Sequence, residues 1–207
     1  MAEPALKVEP RYTYADYLQW NGDERYELID GAAYCMSPAP TRTHQHVVLD
    51  LGRQIADFLE GKKCEVFVAP FDVRLPDNSP DDADVRNVVQ PDVVVICDPK
   101  KIEERGCLGA PDFIIEVASP SNTARDLALK CALYERHGVR EYWVVQPDER
   151  VVVKYVMGPG GRWVPPEFVE GKGRLAVTVL PGLEINLDRL FPPLPPRPTG
   201  PARERRI

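Results

Sequence analysis

The segments that most limit what this chain can fold into are two apolar runs, each carrying one carboxylate. In VVQPDVVVICD, Asp92 follows Pro91 and opens DVVVI, while in DFIIEVAS Glu116 stands between Ile115 and Val117. Nearly continuous apolar runs suit strands buried on both faces of a sheet. Alternation along a strand puts Glu116 on the face of Ile114 and Ala118, opposite Phe113, Ile115 and Val117. A carboxylate buried there is costly unless it is paired, hydrogen-bonded or bound to a metal. Two that converge also repel each other, and a divalent cation relieves both penalties. Oxygen ligands with few histidines or thiolates suit magnesium or manganese over zinc. The plainer reading makes each acid a strand-end group that pairs with an arginine or caps a helix.

The surrounding pattern is that of a mixed α/β sheet flanked by helices. Thr13 is placed to cap a short helix in YADYLQW, and Asp30-Gly31 to turn a hairpin between RYELID and AAYCMS. A helix is expected from about Thr43 to Glu60, with Val48, Leu51, Ile55 and Phe58 on one face. CEVFVAPFDVRL reads as one long strand, and the acidic DNSPDDAD after it (Asp77, Asp81, Asp82, Asp84) as a solvated, mobile connection rather than a calcium loop. KKIEERGCLGAP reads as a loop. A second helix runs from about Thr123 to His137, with Gly138 as its stop. EYWVVQP is a further buried strand, and VVVKYVM, GRWVPPEFV and RLAVTVL form a β-meander. Asp126, Lys130 and Tyr134 fall four apart on the second helix, which by spacing alone gives a solvated Asp–Lys pair.

Composition narrows the setting. A chain of 207 residues, 43% hydrophobic and 28% charged, fits one domain with a sizeable core. No apolar run approaches the roughly 20 residues needed to span a bilayer. MAEPALKVEP lacks a basic stretch followed by an apolar core, so a cytoplasmic protein is expected. The five cysteines (Cys35, Cys64, Cys97, Cys107 and Cys131) show no CxxC spacing and read as reduced core thiols. His44, His46 and His137 do not form a zinc-binding cluster with them. A net charge of −6 weighs against a broad basic nucleic-acid surface, although acids gathered around a cation contribute to it. After Phe191 the chain turns proline-rich, and residues 195–207 carry four arginines against one glutamate, which suits an extended basic tail.

PDVVVI, then DFIIEVASPSNTARDLALKCALYERHGVREYWVVQP, with YELIDGAAY and TRTHQH upstream, resembles the Uma2 family within the PD-(D/E)XK nuclease superfamily. The resemblance covers about residues 10–190. It implies a restriction endonuclease-like domain over 1–191, built on a mixed β-sheet core flanked by helices, with a C-terminal β-meander and 192–207 as an appendage. By position it implies that Asp92, Glu116 and the backbone carbonyl of Val117 hold one or two Mg²⁺ ions, with Mn²⁺ as a substitute. The superfamily's lysine, two residues after its second acid, is absent, since Ala118 stands there. The family displaces it onto the next helix, which points to Lys130, with Asp126 and Tyr134 positioning it. Glu27 matches a further acidic position, and Gln146 stands where relatives often carry aspartate. The activity implied is Mg²⁺-dependent endonucleolytic hydrolysis of DNA, with Lys130 orienting or deprotonating the attacking water or stabilising the phosphate. The partners implied are DNA and a second copy in a homodimer, with no membrane. Two other readings stand beside it. One is a nuclease-fold protein that binds nucleic acid or a protein without cutting, and the other an interaction protein whose acids form salt bridges.

Overall fold

The structure is a computed structural model that describes residues 11–36, 39–119 and 124–191. The proline-rich stretch 192–207 and most of the SPSN segment lie outside the described residues.

Local chemistry places the first elements where the sequence puts them. Thr13 caps α1 (Tyr14–Tyr17) in a capping box, its hydroxyl accepting from Asp16 N while the Asp16 carboxylate accepts from Thr13 N. Asp30 (φ 50°) and Gly31 (φ 80°) join β1 (Tyr26–Ile29) to β2 (Ala32–Cys35). Positive φ at both positions is what a tight hairpin turn with the natural strand twist requires. Thr41 caps α2 (Arg42–Leu59), its side chain accepting from His44 N.

Two segments read as single strands are each split. CEVFVAPFDVRL yields β3 (Glu65–Val68) and β4 (Val73–Arg74), and VVQPDVVVICD yields β5 (Val88–Val89) and β6 (Val93–Ile96). Pro70 and Pro91 stand at the breaks. Proline has no N–H to give a ladder, so at both points the chain leaves one sheet and enters another. KKIEERGCLGAP is not all loop, since it forms the hairpin of β7 (Ile102–Glu103) and β8 (Gly106–Leu108). Then come β9 (Phe113–Val117), α3 (Ala124–His137), β10 (Glu141–Gln146), β11 (Val151–Val156) and β12 (Glu167–Glu170). RLAVTVL does not extend the β10–β11–β12 meander. Its β13 (Arg174–Ala176) pairs with β14 (Glu184–Asn186), and α4 (Leu187–Leu190) closes the unit. There Leu175, Val177 and Ile185 join the core that also contains α2 residues.

Two six-stranded sheets result, ordered β2-β1-β5-β4-β8-β7 and β12-β11-β10-β9-β6-β3. Both are mixed, since β4–β8 and β9–β10 are parallel pairs among antiparallel ones. One face of the second sheet (Phe113, Ile115, Trp143) packs in a core with Val47, Leu51 and Ile55 of α2 and with the β13–β14 hairpin. The other face (Ile114, Tyr142) packs in a core with Leu133 and Tyr134 of α3 and Val73 of the first sheet. Burial on both faces explains why β6 is apolar throughout and β9 apolar except at Glu116. Gly52 allows α2 to lie close on β3, because a Cβ there would meet Val68 Cγ1 at 3.1 Å. No helix among the described residues is long and apolar enough to cross a membrane.

The acidic loop is solvated at Asp77, Asp81 and Asp84, and two of its acids also tie it to the fold. Asp82 pairs with the buried Arg74 at 3.0 Å, and Asp77 accepts from Asn87 Nδ2 at 3.0 Å and lies 3.2 Å from His137 Nε2. Arg74, 4% exposed, is paired with Asp82 and Glu103, which offset its lost hydration.

The cysteines depart from the all-thiol expectation, since Cys64 and Cys97 form a disulfide with Cα atoms 3.9 Å apart. The antiparallel register of β3 on β6 pairs Glu65 with Ile96, so the next step outward sets these two cysteines face to face. Cys35, Cys107 and Cys131 are free, and burial pushes the Cys107 thiol up to about 12. Thiolate is the reactive form, so Cys107 is protected at pH 8. Iodoacetamide without reductant should label exposed Cys35 in the native protein and reach Cys107 only on unfolding. Cys64 and Cys97 should label only after reduction, which should lower the unfolding free energy by about 3–4 kcal/mol for a loop of this length. Five labelled cysteines in unreduced, unfolded protein would show the bridge to be absent.

Candidate active site

The two prolines that split the strands also create the site. The crossovers at Pro70 and Pro91 run side by side, with Ala69 N donating to the Asp92 carbonyl at 3.1 Å. A cleft of about 990 Å³ opens along this seam, walled by the first half of α2, the β1–β2 hairpin and the end of β3.

Asp92 and Glu116 come together through strand register. β6 pairs antiparallel with β9 so that Val93 faces Ile115, and one step back sets Asp92 across from Glu116. Lys130 is not on a solvated face of α3. It is 8% exposed, and its Nζ lies 2.9 Å from Glu116 Oε1 and 2.8 Å from Glu27 Oε1. Tyr134, one helical turn on, donates its hydroxyl to the same Glu116 oxygen at 2.7 Å. It therefore restrains the lysine's partner rather than the lysine itself. Glu27 is fixed from the backbone, accepting from Gln90 N at 2.9 Å. Thus β1, β9 and α3 meet at one ammonium group. Asp126 lines the cleft from the first turn of α3.

Burial pushes the Glu116 carboxyl up to about 7, aided by Asp92 and Glu27 and opposed by Lys130 and Tyr134. Burial alone would drive Lys130 down, but the two carboxylates outweigh it and hold the ammonium well above its ordinary range. Burial raises the Tyr134 hydroxyl too, which keeps it a donor.

Sequence reasoning missed two members of the site. His44, in the first turn of α2, places Nε2 3.3 Å from Asp92 Oδ2. Burial disfavours its cation, yet Asp92 and the Val117 carbonyl outweigh that and raise its pKa. Gln90 holds Glu27 through its N–H, while its side chain donates to Asp72 at 2.8 Å and accepts from Arg25 at 3.4 Å. The available signals were positional. His44 comes three residues after a helix-capping Thr41, and Gln90 directly precedes the strand-breaking Pro91.

The donor set fits a hard divalent cation. Val117 N donates to Asp92 Oδ2 at 2.7 Å, the atom His44 also approaches, and Lys130 and Tyr134 both reach Glu116 Oε1. None of these four donors holds Asp92 Oδ1 or Glu116 Oε2. Two carboxylate oxygens and a main-chain carbonyl match magnesium, which is bound through few protein ligands and keeps several waters. Among the described residues no group of three or more His, Cys, Asp or Glu is gathered to hold a metal ion by itself, so a cation here would depend on these two carboxylates, the carbonyl and water.

Removing the lysine's charge should be costly, because it leaves Glu27 and Glu116 buried without a counter-ion. Lys130→Met should lose about 3–5 kcal/mol in urea unfolding. Adding Glu27→Gln should recover part of that, so the double variant should lose less than the single losses summed. Strict additivity would show that these groups do not interact.

Comparison with known proteins places this geometry. A family model described as "putative restriction endonuclease", Uma2, matches residues 14–188. The uncharacterized protein slr1290 of Synechocystis sp. is 26% identical over 158 residues, spanning 75% of this chain and 79% of the relative. A crystal structure from Anabaena variabilis, described as a putative nuclease belonging to DUF820, superposes with a TM-score of 0.67 at 20% identity. It covers 86% of this chain and 97% of that one, and shows a shared fold. The chain belongs to the Uma2 family of restriction endonuclease-like proteins.

Proposed function

We propose that the protein is a Mg²⁺-dependent endonuclease that hydrolyses DNA phosphodiester bonds, with Asp92, Glu116 and Lys130 as its catalytic residues. The observation that carries this reading is the meeting of two carboxylates from adjacent strands with a buried lysine on the floor of one cleft. Asp92, Glu116 and the Val117 carbonyl would hold the ion, for which Mn²⁺ can substitute. When bound, the ion supplies a water of lowered pKa and positive charge against the scissile phosphate.

The chain's own groups divide the remaining work. Val117 N and His44 occupy Asp92 Oδ2, so Asp92 presents Oδ1. An ammonium group has three donors, and two on Lys130 are held by Glu27 and Glu116. The third can bind a phosphate oxygen or orient the attacking water. The two carboxylates favour the cationic form of Lys130, which suits it to binding the phosphate or orienting that water. Glu27 fixes the lysine, and Tyr134 fixes Glu116. By family resemblance we extend the proposal to a homodimer, which light scattering would test.

Asp92→Asn and Glu116→Gln should abolish both Mn²⁺ binding in calorimetry and Mn²⁺-dependent nicking of DNA, with circular dichroism unchanged. Wild-type cleavage by both variants would remove the site assignment. An unaltered protein that binds neither Mg²⁺ nor Mn²⁺ would remove the mechanism. His44→Leu should weaken Mn²⁺ about 10–100-fold, as loss of a group that orients a ligand does. His44→Gln, which keeps a donor near Asp92, should weaken it less.

A further inference from the structure

The reactive groups are recessed. Glu116 and Lys130 are 5% and 8% exposed, and they lie on the cleft floor below its rim. The wall formed by α2 and β3 carries two large apolar side chains open to solvent, Leu49 at 73% and Val68 at 46% exposure. Tyr34 of β2 also lines the cleft. Among the described residues its cationic lining is Arg25, Arg53 and Lys130. All three are already engaged: Lys130 by two carboxylates, Arg53 by Asp50, and Arg25 by the Gln90 side chain at 3.4 Å.

A paired duplex fits this surface poorly. Duplex binding is dominated by cationic side chains laid along both phosphate backbones. Its bases are stacked and paired, with no apolar face to offer the Leu49–Val68 wall. A rigid helix also has to bring its phosphate down to carboxylates that lie below an apolar rim. An unpaired strand meets all three conditions. It bends into a cleft, presents its phosphate singly, and exposes the faces of its bases to apolar and aromatic side chains.

We infer that the cleft takes an unpaired DNA strand, with a base next to the scissile phosphate seated against Leu49 and Val68. The inference rests on the nuclease reading for its reaction, but on the cleft's walls for its substrate class. The test is cleavage, by the full-length protein with Mn²⁺, of one labelled oligonucleotide as a single strand, as a perfect duplex, and as the unpaired flap of a duplex. The single strand and the flap should be cut within their unpaired part, and the duplex about tenfold more slowly, since only an unpaired base can bury its face against Leu49 and Val68.

Leu49→Asp and Val68→Asp, both at exposed positions, should raise KM for the single strand about tenfold. They should leave kcat, Mn²⁺ affinity and the unfolding midpoint unchanged. A duplex cut as fast as the single strand would overturn the inference and leave the nuclease reading standing. Fluorescence anisotropy separates the opposite case. Preferential binding of the single strand with no cleavage of any DNA would sustain the cleft's occupant and remove the nuclease reading. Equal binding of both forms, or unchanged KM in the Asp variants, would overturn the inference.

Discussion

The ammonium group of Lys130 lies where three separately encoded elements meet. Glu27 comes from the first sheet, Glu116 from the middle of the second, and Lys130 from the helix between β9 and β10. Removing these charges from water costs several kcal/mol each, and a buried ion pair rarely repays that against a well-packed apolar substitute. Stability alone therefore does not account for the arrangement. It is paid for elsewhere, by sheets buried on both faces and by the tyrosine and backbone donors that satisfy the carboxylates. In return it holds charge at a fixed place in a low-dielectric floor, where each electrostatic contact is worth more than in water.

The seam between the sheets makes that floor reachable. A strand that continued unbroken through Pro70 or Pro91 would close the sheet over Asp92. Because both strands change sheet at their prolines, the residue after Pro91 opens onto the cleft while the next four enter a buried ladder. One carboxylate is thus presented at the strand's head, and its neighbour across the register is sunk among apolar side chains. The raised pKa of Glu116 expresses the same asymmetry, because its burial, more than any single neighbour, disfavours its charged form.

Much of this was legible in the chain. Apolar runs with a lone acid announced buried strands and something to balance the acid, and Asp30-Gly31 and Thr13 marked a turn and a cap that the structure contains. What the chain hid was tertiary. Spacing on α3 cannot say which face is buried, so Lys130 read as a solvated partner of Asp126. Runs of β-formers around a proline read as one strand, since local preference carries no information about which sheet each half joins. The Cys64–Cys97 bridge depends on the register of two strands whose pairing follows from the fold. His44 lies some fifty residues from Asp92 in sequence, and only the packing of α2 over the second sheet brings it there.

The net charge of −6 at first counts against a protein that handles DNA, but the location of the charge matters more than its sum. Many of the acids are occupied inside the fold: Asp82 by Arg74, Asp50 by Arg53 and Arg189, Glu141 by Lys154, Glu27 and Glu116 by Lys130. At the cleft the carboxylates Asp92, Glu27 and Glu116 face one lysine, and a divalent cation held there would turn that local excess into a neutral floor. Away from the cleft the negative field persists and acts over roughly 8–10 Å at ordinary salt. A long duplex crossing the surface would feel that repulsion along its length, whereas a single strand laid in the cleft would meet it over fewer phosphates. The electrostatics and the recessed, apolar-walled shape of the cleft thus favour the same form of nucleic acid.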